Sequence, residues 1–268
     1  NQSNYIYPNT NFALFGENII YLNEKISITP GFRAENIKTK SDGYYRKINL
    51  DAAGNVIYNE RFYDNNINKR SFLLFGLGFS YQLKQNFEIY ANISQNYRSV
   101  TFADMSIINP AYAINPNITD EKGFTADFGL RGNSNNKISF DISAFTLKYD
   151  DRIGFVQKVF NGNVKSERGN VGNAIIYGVE TLSELDLNRL MLDKDNLDLK
   201  FFINYSLIKS QYLKSEQVGI EGNSVEFVPK HNLKSGLRFG YKNFSLSWQT
   251  SLLSSQFTDS SNAIDGNL

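Results

Sequence analysis

Between residues 70 and 83, Leu73, Phe75, Leu77, Phe79 and Tyr81 fall on one side of an extended chain, with Gly76, Gly78, Ser80 and Gln82 on the other. That period of two is the signature of a strand with two unlike faces. After Lys84-Gln85-Asn86 it resumes, setting Phe87, Ile89, Ala91 and Ile93 against Glu88, Tyr90, Asn92 and Ser94, so the two runs predict a hairpin. The alternation returns in residues 25–35, 123–131, 137–149, 197–207, 232–241 and 244–252; with 12–22 and 175–185 added, about ten strands are expected. Their polar faces carry charge in mid-strand: Arg33 and Glu35, Asp127 and Arg131, Asp141, Lys200, Lys234 and Arg238. A dry core would reject such groups, since an unpaired buried charge is strongly unfavourable. The opposite faces are Phe, Leu, Ile, Ala and Tyr, so the sheet reads as inverted, apolar outside and polar inside. The fold expected is all-β, an antiparallel transmembrane β-barrel, whose strands need about 9 to 11 tilted residues to cross. Its lipid face penalises Arg or Lys by ~2 to 4 kcal/mol. A sheet with one face in water has the same alternation and stays open on pattern alone.

The connections alternate in length. Short ones fall near residues 22–24, 84–86, 133–136 and 242–243, with a longer exception at 186–196; long ones fall at 38–69, 98–122, 150–173 and 212–230. Outer-membrane barrels pair short periplasmic turns with long extracellular loops, which sends the long set outside the cell. Rings gather where strands leave the apolar band, Tyr81, Tyr241, Phe244 and Trp248 near the short turns and Tyr97, Tyr149 and Tyr205 toward the long loops; two aromatic girdles would place them so. The first long connection has strand-like halves at 45–50 and 56–62 around Ala53-Gly54-Asn55, and is expected to rise as a hairpin.

Composition narrows the function classes. With 28 Lys+Arg against 27 Asp+Glu and no block of like charge, no field favours nucleic acid. Absence of cysteine removes disulfides, thiolate metal sites and thiol nucleophiles. Sixteen Tyr and 21 Phe accompany a mean hydropathy of -0.38, so rings abound without general hydrophobicity. The most apolar run, residues 72–79, is short and broken by Gly76 and Gly78, far from the roughly 20 apolar residues of a spanning helix. The sequence opens on Asn1 with no basic, apolar leader, so an export signal is expected outside it. No linker divides residues 1–268, which read as one partial barrel domain.

Several stretches carry a resemblance. Residues 12–18 (Phe-Ala-Leu-Phe-Gly-Glu-Asn) followed by 28–35 (Ile-Thr-Pro-Gly-Phe-Arg-Ala-Glu), Glu121-Lys122-Gly123 leading into Phe128-Gly129-Leu130-Arg131, and Tyr177-Gly178-Val179-Glu180 resemble paired-strand signatures of TonB-dependent outer-membrane receptors. Val228-Pro229-Lys230-His231, with Ser254-Ser255-Gln256-Phe257-Thr258-Asp259 beyond, is similar to the ferric citrate branch. The resemblance spans nearly the whole chain. It implies a barrel of about 22 strands closed round a plug, of which this piece would be approximately strands ten to nineteen, without plug, TonB box or closing strand. It further implies bacterial outer-membrane localisation and lipid as a partner. The plug, the TonB energy complex and an anionic ferric chelate would be the other partners. No resident cofactor is implied, iron entering as part of the cargo.

An anionic chelate calls for guanidinium groups, which give paired donors and keep their charge. The candidates by position are Arg98 at a strand's outer end, Arg152, Gln157, Lys165 and Arg168 in one long connection, and Arg46 in the hairpin; each is also readable as a solvated loop charge. His231, the one histidine, cannot build a multi-histidine metal site and reads as a junction residue after Pro229. Asp259 and Asp265 lack the alternating acidic spacing of a calcium loop. Gly76 and Gly78 leave room for a close neighbour, the plug or a Phe ring. The rival readings are a glycan or peptide importer of the same barrel family, a small outer-membrane hydrolase using His231, and a soluble β-sheet adhesin.

Overall fold

In a computed structural model, described for residues 3–105, 112–160 and 162–266, nearly the whole chain is antiparallel strand. In order these are β1 (Ser3–Ile6), β2 (Asn9–Glu17), β3 (Ile20–Tyr21), β4 (Ile26–Leu50), β5 (Val56–Lys84), β6 (Phe87–Arg98), β7 (Tyr112–Ile114), β8 (Glu121–Ser134), β9 (Ile138–Phe160), β10 (Asn163–Asp186), β11 (Leu197–Lys214), β12 (His231–Tyr241), β13 (Phe244–Leu253), β14 (Gln256–Phe257) and β15 (Asp265–Gly266). One helical turn, α1 (Phe102–Met105), follows β6, and a π-helix covers Asn188–Leu192. Among the described residues no helix is long and apolar enough to cross a membrane.

Contacts divide the chain into two compact units, the boundary cutting through β4 and β5. The first comprises residues 1–17 and 31–75. Within it β1 and β2 pair along β4, with Ser3 opposite Tyr45 and Phe15 opposite Arg33. The predicted halves 45–50 and 56–62 are the ends of β4 and β5, closed by a turn in which Asp51 Oδ1 accepts the Ala53 and Asn55 N–H groups at 2.9 and 2.7 Å.

The second unit holds residues 18–30 and 76–268. Its strands run β5-β6-β8-β9-β10-β11-β12-β13, each antiparallel to the next. One face presents Leu77, Phe79, Ile93, Phe128, Ile142, Val179, Leu237, Leu246, Trp248 and Leu252, all exposed. Among the described residues no second layer of protein covers these rows, which is how a lipid-facing wall looks without its lipid. The other face is knitted by polar contacts across neighbouring strands. Arg131 Nε donates to Glu88 at 2.9 Å, Tyr90 to Asp141 at 2.6 Å, and Asn92 to Asp127 at 3.3 Å; Arg238 meets Asp198 at 3.0 Å.

The separation of faces is less pure than the sequence suggests. Phe145 and Phe202 lie on the polar face, each ring over a glycine on the adjoining strand; a Cβ on Gly236 would come within 2.5 Å of the Phe202 ring and one on Gly178 within 3.1 Å of Phe145. Gly76 and Gly78, by contrast, have small neighbours, Ser94 and Thr29, at ordinary contact distance. The Phe considered for that place is absent among the described residues.

Two expected loops are something else. Residues 150–173 form a continuation of the β9–β10 hairpin up to Phe160 and Asn163; of the connection at 98–122, residues 106–111 lie outside the described set, and the rest contains α1 and β7. The hairpin passes through two register shifts between Asn170 and Ala174, and these break the alternation that would have advertised a strand. Gly172 sits at the shift with φ +152°; a Cβ there would lie 2.2 Å from the Lys214 carbonyl oxygen. Beyond this point lies a hydrophobic cluster of Val156, Val171, Ala174, Tyr212, Ile220 and Val225. Among the described residues the buried apolar cluster therefore lies at the outer ends of the strands, beyond the middle of the wall.

Candidate functional site

The second unit holds five of the six residues singled out from sequence, and at its outer end two of them, Arg98 and Arg168, converge on one carboxylate. Arg98, the last residue of β6, points a guanidinium at Asp104 of α1, with Nη2 3.0 Å from Oδ1 and 3.2 Å from Oδ2. Arg168 on β10 reaches the same carboxylate, Nε to Oδ1 at 2.6 Å, with a second contact through Nη2. Its guanidinium also lies 4.8 Å from the centre of the Phe155 ring, a cation–π contact. Asp104 accepts further bonds from the Thr101 N–H and hydroxyl, both at 2.9 Å. Its side chain is 0 % exposed, against 39 % for Arg98 and 24 % for Arg168. Burial by itself pushes the Asp104 carboxyl up; the bonds from Thr101 and Arg168 outweigh it and hold the group below the usual carboxylate range. Glu121 is a second anion for Arg98, at 3.6 Å, and also accepts the Ile153 N–H at 2.8 Å.

Gln157 stands opposite Ser166, two residues along from the Phe155–Arg168 pair, and so shares the Arg168 face of the hairpin. Lys165 is on the other face, opposite Lys158, which pairs with Glu167 at 2.7 Å. Arg152 belongs to a separate group: Nη1 meets Glu226 Oε1 at 2.6 Å, and Tyr212 donates to Glu226 Oε2 at 2.7 Å. Arg46 lies in the first unit, on the face of β4 opposite Tyr45. That unit carries ring stacks of its own, Tyr5 on Tyr7 with centroids 5.6 Å apart and Tyr45 on Phe62 at 5.2 Å. By register Tyr5 and Tyr45 share the β4 face that bears Arg33 and Glu35.

Asp104, Glu226 and Tyr212 were not among the sequence candidates. Asp104 is six residues from Arg98 but 64 from Arg168, and Glu226 is 74 from Arg152; no local spacing reports a pairing at the longer range. Glu121 stands in a sequence motif that by itself assigns it no role. At the junction near Pro229, the Tyr205 hydroxyl lies 2.8 Å from His231 Nδ1, and the His231 N–H donates to Ser254 Oγ at 3.0 Å. Those bonds fix a strand end. No group of three or more metal-ligating side chains occurs among the described residues.

Comparison with known proteins finds a family model, described as TonB dependent receptor-like, beta-barrel, matching residues 1–268. Among solved structures the chain is similar to the ferric yersiniabactin uptake receptor of Yersinia pestis, with a TM-score of 0.70 at 18% identity over 98% of this chain and 37% of that one. It is similar to a copper transporter, with a TM-score of 0.70 at 17% identity over 94% of this chain and 36% of that one. It also resembles a ferric citrate transporter in its unliganded form, with a TM-score of 0.64 at 17% identity, covering 98% of this chain and 45% of that one. At such identities the likeness is one of fold. The chain spans less than half the length of each of these proteins.

Proposed function

This chain belongs to the TonB-dependent receptor β-barrel family, and on that premise we propose that it is part of the wall of a receptor that imports a ferric chelate, ferric citrate in particular, with energy from the TonB system. The family is one of outer-membrane transport proteins, not of enzymes, so the hydrolase and soluble-adhesin readings are set aside. The plug and the contact with the TonB complex are assigned to other parts of the receptor, and residues 1–268 to a single stretch of barrel. Iron is cargo here, not a resident cofactor.

The observation that carries the reading is the convergence of Arg98 and Arg168, both partly open to water, at the outer end of a wall whose polar face continues below them. Two guanidiniums that can meet one carboxylate through several N–H donors offer the chemistry that a tricarboxylate chelate presents to its receptor. Arg98 and Arg168, with Gln157 on the Arg168 hairpin face, are the foremost proposed contacts; Arg152 and Lys165 are proposed as secondary ones, and Arg46, in the other unit, as a separate proposal. Likeness to a ferric citrate transporter supports the choice of cargo. A second reading, glycan import, is favoured by the ring stacks of the first unit, because flat exposed rings suit the apolar face of a sugar as well as a planar ligand.

Uptake of radiolabelled iron citrate by cells expressing the whole receptor separates these. Saturable uptake that needs TonB and falls at least about tenfold in an Arg98→Gln/Arg168→Gln double variant is expected. Uptake of oligosaccharide with no saturable iron citrate uptake would transfer the assignment to the glycan reading.

A further inference from the structure

We propose that Asp104 is a built-in stand-in for the cargo: its carboxylate occupies the Arg98–Arg168 anion site in the unliganded receptor and yields to a carboxylate of the incoming chelate. This rests on the assignment of those arginines as cargo contacts, and it adds what holds their place beforehand.

The Asp104 carboxylate makes the bonds a bound carboxylate would make. It takes both oxygens to Arg98 and receives the Arg168 fork. It comes from a single helical turn, Phe102–Met105, a small element to displace. The guanidiniums, unlike the carboxylate, are partly exposed, so a solute can approach them while Asp104 is still bound. Charge favours exchange over simple addition. Two arginines against Asp104 and Glu121 sum to zero, and a polyanion gains little by approaching a neutral group. Once Asp104 leaves, Arg98 and Arg168 against Glu121 carry one net positive charge, and the trivalent acid can claim the donors Asp104 gave up. An internal competitor of this kind weakens apparent affinity by the fraction of time the site is open. It also discriminates, because a chelate without carboxylates cannot replace the bonds it would break.

The test uses the whole receptor and measures equilibrium binding of ferric citrate and, as control, of an uncharged ferric trihydroxamate. Asp104→Asn keeps an oxygen for the Thr101 donors and removes the charge. Its expected effect is ferric citrate binding tightened by about tenfold or more, an unchanged response to the trihydroxamate, and loss of the gain when Arg98→Gln and Arg168→Gln are added. Heat-modifiable electrophoretic mobility reports that the barrel is intact. Should Asp104→Asn fail that check, Thr101→Ala loosens the seat of Asp104 without touching either arginine, and a smaller tightening is expected from it. Wild-type binding that is unchanged or weakened in the folded variant overturns the stand-in and leaves the import reading in place. No ferric citrate binding by either protein overturns both.

Discussion

Glu226 neutralises a guanidinium that has little access to water, Arg152 being 18 % exposed and Glu226 itself 8 %. Truncating one member of such a pair leaves the other charged and stranded. Glu226→Gln should therefore loosen the outer core locally, by about 3 kcal/mol, read as faster amide exchange across residues 215–230 with β5 to β9 unaffected below the register shift. Asp104 supplies a pH signature. Its carboxyl is held below the ordinary range when folded, so the unfolded chain binds the proton more readily, and stability rises with pH wherever the two forms differ in protonation. The contribution of Asp104 is complete above the ordinary carboxylate pKa, about 3.9, and is lost as pH falls through the depressed folded value. Amide protection at Thr101 and Asp104 should hold through mild acid and drop only below about pH 4; a loss beginning near neutrality would contradict it.

Strands were the most legible elements, because alternation survives wherever one face meets lipid and the other water. β9 offers a direct check on adjacent residues. Ile142 lies on the exposed apolar face, while Ser143 stands opposite Glu180 on the polar face. Ile142→Arg should cost ~2 to 4 kcal/mol in urea unfolding from lipid vesicles, and Ser143→Arg within about 1 kcal/mol; equal costs would contradict the two-faced wall. The outer half of the same strand was not legible. Past Asp151 the hairpin shifts register at Gly172 and packs on Tyr212 and Val225, so its pattern is that of a small dry core. Gly172→Ala should disorder this part specifically, since it combines an unfavourable φ with a backbone clash. Of the candidate site, the sequence named the arginines by position alone; the carboxylates that meet Arg152 and Arg168 come from segments 74 and 64 residues away.

For the molecule as a whole, the exposed rows make a prediction about where it sits. Trp248, the one tryptophan in the sequence, is 63% exposed on the apolar face of β13, six residues from Lys242 in the short turn. It should contact lipid near the headgroup boundary. Brominated lipids should quench its emission more strongly from shallow acyl positions than from deep ones, measured as the difference between the receptor and its Trp248→Phe variant. Indifference to bromine depth would remove Trp248 from the girdle. The apolar cluster that includes Tyr212 and Val225 has the opposite requirement, for its stability comes from withdrawing methyl groups from water. One stretch of chain thus depends on two solvents at once. During extraction, an alcohol or a chaotrope mild enough to leave the oily staves hydrogen-bonded would melt this cluster first, and a preparation would look intact by circular dichroism while the Arg152–Glu226 pair had come apart.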